Sequence, residues 1–91
     1  MTNDVYKRND IAYSAEINGT TVVLNTETEK FYNLDEIGGL IWQLFEKPST
    51  IDDVVAGVSK ECDVAVSECY NDIVAFINVL INNSLITLEV K

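Results

Sequence analysis

The sequence predicts an α+β fold, a three-stranded antiparallel sheet followed by three helices, and three observations predict it. Apolar residues alternate with a period of two over residues 11–17, and two more short β-rich runs follow. After Leu34 the period lengthens to that of a helix and stays there through three successive apolar stripes. Turn-forming residues, Asn18-Gly19 first and Pro48 later, stand where one run gives way to the next. At 91 residues, 47% of them hydrophobic, the chain is read as one domain, 1–91, with a real but small core.

Residues 1–10 show no clear period and read as a segment free to be flexible. In 11–17, Ile11, Tyr13, Ala15 and Ile17 alternate with Ala12, Ser14 and Glu16, the mark of a strand. Asn18-Gly19 tolerates the positive φ angles of a two-residue hairpin turn, and Thr20-Thr21-Val22-Val23-Leu24-Asn25 is the returning strand. The polar connection Thr26-Glu27-Thr28-Glu29 is short enough to bring Lys30-Phe31-Tyr32-Asn33-Leu34 back as a third antiparallel strand, left at an edge.

Ile37, Leu40, Ile41, Leu44 and Phe45 fall at helical spacing, with Asp35 placed to cap the first turn. Pro48 stops that helix, and Ser49 or Thr50 caps a second whose Ile51, Val54, Val55 and Val58 share a stripe, with Asp52, Asp53, Lys60 and Glu61 facing water. A third helix opens near Ser67-Glu68, turns Ile73, Phe76, Ile77, Leu80 and Ile81 inward, and stops around Asn82-Asn83. Residues 85–90 alternate Ile86, Leu88 and Val90 with Thr87 and Glu89, a short closing strand.

Charge and composition exclude several functions. Six Lys and Arg against fifteen Asp and Glu give a formal net charge of -9, a field that opposes binding to a phosphate backbone. No apolar stretch approaches the ~20 residues of a membrane span, so no membrane partner is expected and the chain is read as cytoplasmic. With no histidine, the Ser-His-Asp and Cys-His nucleophile systems cannot be assembled, nor can a zinc site of the usual cysteine and histidine kind from Cys62 and Cys69 alone. The two thiols are expected to be reduced, partly buried small hydrophobes. Phosphate-loop and calcium-loop patterns are missing, and Gly38-Gly39, inside a helix pattern, read as a close-packing site. No catalysis, no cofactor and no metal are expected.

A sheet with three helices can form a winged helix-turn-helix, which raises the alternative of a transcriptional regulator, or of a scaffold acting through protein contacts. The third helix argues against nucleic acid. From Ser67 to Asn83 it carries no Lys or Arg, and it contains Glu68 and Asp72, so it can neither neutralise phosphates nor read guanine.

The run Leu24-Asn25, then Phe31-Tyr32-Asn33-Leu34-Asp35-Glu36-Ile37-Gly38-Gly39-Leu40-Ile41-Trp42-Gln43-Leu44, resembles the PqqD-like family. So does its continuation through Pro48-Ser49-Thr50, Cys62-Asp63-Val64 and the spaced pattern of Asp72-Ile73, Phe76-Ile77, Leu80-Ile81 and Leu85-Ile86. Each motif is weak singly; their order and spacing over residues 22–86 are specific. Glu29 stands where many relatives have glycine, and Gly39 where alanine is common. The resemblance implies a winged-helix RiPP recognition element, which binds the leader of a ribosomally made precursor peptide and presents it to a modifying enzyme or protease; lasso-peptide systems and the quinone-cofactor pathway both use such modules.

In that family the leader pairs with the third strand and packs into the groove beside the third helix. Carried onto this chain, the resemblance points to Lys30, Phe31, Tyr32, Asn33 and Leu34 on the strand and to Tyr70, Ile73, Val74 and Ile77 on the helix. The residues themselves agree in part, since an edge strand offers unpaired donors and acceptors to an extended peptide. Phe31 and Tyr32 must point to opposite faces, so one is expected in the core and the other accessible.

Overall fold

The computed structural model describes residues 4–89. Four strands come first, β1 (Val5–Arg8), β2 (Ala12–Ile17), β3 (Thr20–Asn25) and β4 (Lys30–Leu34), and lead into α1 (Glu36–Leu44). A two-residue strand β5 (Ser49–Thr50), helices α2 (Ile51–Cys62) and α3 (Val66–Asn82) and a last strand β6 (Ile86–Leu88) complete the order. The expected meander is there, with β3 between β2 and β4, and both pairings are antiparallel.

The hairpin between β2 and β3 turns on Asn18 and Gly19, whose φ angles of 53° and 81° both lie in the left-handed region. Such a turn matches the twist of the strands it joins and fixes the register Ile17↔Thr20. Between β3 and β4 the buried Asn25 carboxamide accepts from the backbone N–H of Glu27 at 2.9 Å and of Thr28 at 3.1 Å. Glu29 closes that turn with φ 61°, the conformation that explains why glycine suits this position.

Asp35 caps α1, its Oδ1 accepting from the Gly38 N–H at 2.6 Å, and Thr50 caps α2, its Oγ1 accepting from the Asp53 N–H at 3.1 Å. The third helix opens at Val66, slightly earlier than its Ser-Glu pair indicated, with no side-chain cap. Ile41, Trp42 and Phe45 of the α1 segment, Val54, Val55 and Val58 of α2, and Ile73, Ile77 and Leu80 of α3 meet Val23, Leu34, Leu85 and Ile86 in one core. The buried face of α1 is turned relative to the predicted stripe. It includes Trp42 and leaves Ile37 40% exposed.

A second sheet, in the order β5-β1-β6, is not legible in the sequence except for its closing strand. Its centre is β1, paired antiparallel with β5 and with β6 (Tyr6↔Leu88, Arg8↔Ile86). Arg8 fastens this sheet to α1. Its guanidinium lies 4.5 Å from the centroid of the Trp42 ring and donates to the Trp42 carbonyl from Nε at 3.2 Å and Nη2 at 2.6 Å. Burial pushes the Arg8 pKa below its ordinary value, and the Glu46 carboxylate opposes that shift. Val90, the last residue of the predicted closing strand, lies outside the described residues.

Candidate functional site

In the meander β4 pairs with β3 alone among the described residues, so its other edge carries the donors and acceptors that no strand takes up. Alternation along β4 separates two faces. Tyr32 and Leu34 turn inward, half-buried and buried, whereas Phe31 and Asn33 are exposed, Phe31 at 68%. Of the two rings, Tyr32 is therefore the core-facing one. Its Oη donates to Asn83 Oδ1 at 3.1 Å and ties β4 to the end of α3. Asn25 makes the same connection from β3, its Nδ2 donating to the Asn83 carbonyl at 2.9 Å.

At the opposite end of β4 the chain passes through Leu34 into Asp35 and α1, and here a pocket of about 330 Å³ opens between α1 and α3. Ile37, Gly38 and Ile41 form its α1 side, and Ile73 and Phe76 its α3 side; Asp35 and Asp72 add carboxylates to this otherwise apolar lining. Gly38 leaves room for the Phe76 ring. A Cβ there would stand 2.9 Å from Phe76 Cζ, so the close-packing reading of the glycine pair holds.

Two contacts orient α3: Phe76 lies against Gly38 of α1, and Asn83, just past the end of the helix, bonds to Tyr32 of β4. Ile37 and Phe76 give the pocket its apolar rim, and Val79, 48% exposed, lies three residues from Phe76 on the same flank of the helix. At 100° per residue, Tyr70 lies about 120° and Val74 about 160° around the helix from Phe76, on the far flank of the buried stripe. Tyr70 packs against the core, and Ile77, with 0% exposure, is core outright. Of the four helix residues singled out from the sequence, Ile73 is the one that lines the pocket.

Ile73, Phe76, Ile77, Leu80 and Ile81, together with Tyr70 and Val74, make a stripe nearly half the helix wide, and hydrophobicity alone does not tell which flank meets the strand. The glycine pair marks two close approaches, Gly38 to Phe76 of α3 and Gly39 to Thr21 of β3, and the sequence does not say which glycine meets which element. Cys62 and Cys69 are free thiols, half-buried against the core. Among the described residues no group of three potential ligands could hold a metal ion, and no helix is long and apolar enough to cross a membrane.

A free strand edge above an apolar groove defines a class of small α+β domain suited to taking up an extended chain as an added strand. Within that class the chain belongs to the PqqD family, whose model, coenzyme PQQ synthesis protein D, matches residues 20–86. Among solved structures it is similar to TbiB1 in complex with the TbiA(beta) leader peptide, at 29% identity and a TM-score of 0.79 over 93% of this chain and 96% of that one. It also shares its fold with lasso peptide synthetase B1 complexed with the leader peptide, at 20% identity and a TM-score of 0.77 over 90% of this chain and 96% of the other. No curated protein matches it.

Proposed function

We propose that this chain binds the leader segment of a ribosomally synthesised precursor peptide as a strand added to β4, and presents it to a modifying enzyme or leader protease of the same pathway. The observation that carries the proposal is the free edge of β4, which runs through Leu34 into the pocket lined by Ile37, Ile73 and Phe76. Both similar structures are complexes with leader peptides, which supports this choice of ligand. The role is one of capture and presentation.

In this mechanism the backbone of residues 30–34 supplies the strand pairing, and leader side chains on the inward side of the added strand descend between β4 and α3. Ile73 and Phe76 form the bed of that descent. Each buried apolar anchor contributes roughly 1.5–3 kcal/mol and each backbone hydrogen bond about 0.5–1.5 kcal/mol net. Ordering a flexible leader costs on the order of 2–5 kcal/mol, so two or three anchors give a dissociation constant near micromolar or tighter. Asp35 and Asp72 at the pocket disfavour acidic leader residues at the Leu34 end of the strand.

A titration of the whole chain with the leader encoded beside its gene, with the core segment of the same precursor as control, tests the function. Saturable binding of the leader at micromolar concentration or below, with the core at least tenfold weaker, is expected. Equal affinity for leader and core would remove leader recognition as the role.

A further inference from the structure

The outward face of the β2-β3-β4 sheet carries an apolar surface that the groove does not use. Register sets Tyr13 opposite Leu24 and Leu24 opposite Phe31, so these three side chains form one row across the sheet. Tyr13 is 72% and Phe31 68% exposed, with Leu24 half-buried between them. The row ends at β4, where Phe31 has a cross-strand neighbour on one side only.

A strand added to β4 alternates its own side chains between the two faces. Residues opposite Tyr32 and Leu34 go into the groove, and the residue opposite Phe31 points outward, its Cβ coming within about 5 Å of the Phe31 Cβ. We propose that Phe31 is a specificity determinant that reads the outward side of the bound leader, and that the leader residue paired with it is aromatic or β-branched, the fourth member of the Tyr13–Leu24–Phe31 row. The proposal rests on strand addition at β4 and deepens it. The groove selects leader residues of one parity and Phe31 selects one residue of the other. The occupant follows from continuity, because the row runs in register up to the strand that the leader pairs with.

The test uses the full chain and a fluorescent form of the leader encoded beside its gene, scanned with serine at every position. Phe31→Ser, at an exposed site, should weaken binding about fivefold and leave the thermal melt unchanged, whereas Phe31→Tyr, which keeps the ring, should bind like the parent. In double-mutant cycles Phe31→Ser should couple to a single leader position, an odd number of residues from those that couple to Val79→Asp. Tyr13→Ser, two strands further from the leader, should change affinity less than twofold. Unchanged leader affinity in Phe31→Ser would overturn the proposal while strand addition stands. It would be overturned equally if Phe31→Ser and Tyr13→Ser abolished self-association, or if both impaired only the pathway enzyme's binding to the loaded complex. Failure of the parent to bind the leader at all would overturn both ideas together.

Discussion

In the β5-β1-β6 sheet the central strand has a partner on each side, and Arg8 clamps it to the Trp42 ring and carbonyl. In the β2-β3-β4 sheet the edge strand β4 has a partner on one side only, and a polar knot of Asn25, Tyr32 and Asn83 holds the sheet to the end of α3. Both regions draw on one core and each has a central strand paired on both sides, but the edge strands β5 and β6 are two and three residues long whereas β4 offers an edge of five. The difference separates two duties that a domain of this size must combine. Stability can be concentrated where the edges are short, so that a longer edge can be kept for a ligand.

Four substitutions would break or sharpen that contrast. The largest effect is expected from Asn25→Ala, which removes three hydrogen bonds and leaves two turn N–H groups and the Asn83 carbonyl without their partner. A loss of roughly 2–4 kcal/mol in urea unfolding is expected, and a loss below about 1 kcal/mol would show that the knot does not hold the open sheet. Next, Arg8→Ala takes away the stacked cation and its bonds to the Trp42 carbonyl, for about 2 kcal/mol of stability. If the two regions are separate, its affinity for the leader stays within twofold of the parent.

Val79→Asp is the converse. A carboxylate at this exposed position, on the Phe76 flank of α3, should weaken leader binding tenfold or more, about 1.4 kcal/mol, with the melting temperature hardly moved. A drop in stability with intact binding would assign Val79 to the core instead of the groove. The smallest effect is expected from Glu29→Gly, which relieves a left-handed φ of 61° at the start of β4 but gives the unfolded chain more freedom. A gain between zero and about 1 kcal/mol is expected in the same urea series, whereas a clear loss would mean that the Glu29 side chain contributes contacts of its own.

The sequence showed the β2-β3-β4 region better than the β5-β1-β6 region, for physical reasons. Alternation over 11–17, the Asn18-Gly19 turn and the caps at Asp35 and Thr50 are local signals, and each has its structural counterpart. The strand Val5–Arg8 has no such signal. All four of its residues are half-buried, and its partners lie more than forty residues away in sequence, at β5 and β6. The candidate site divides along the same line. The strand Lys30–Leu34 could be placed from its neighbours, but the orientation of α3 is set by Phe76 on Gly38 of α1 and by Asn83 on Tyr32, long-range contacts that a wide apolar stripe does not announce.

Strand addition at β4 is the central claim, and amide hydrogen exchange of the full chain with and without its leader tests it most directly. The account predicts that the leader slows exchange at alternate amides of residues 30–34, those whose N–H groups point away from β3, and leaves β1 and β6 as they were. Protection that appears along β2 or β6 while residues 30–34 exchange as in the free chain would contradict it.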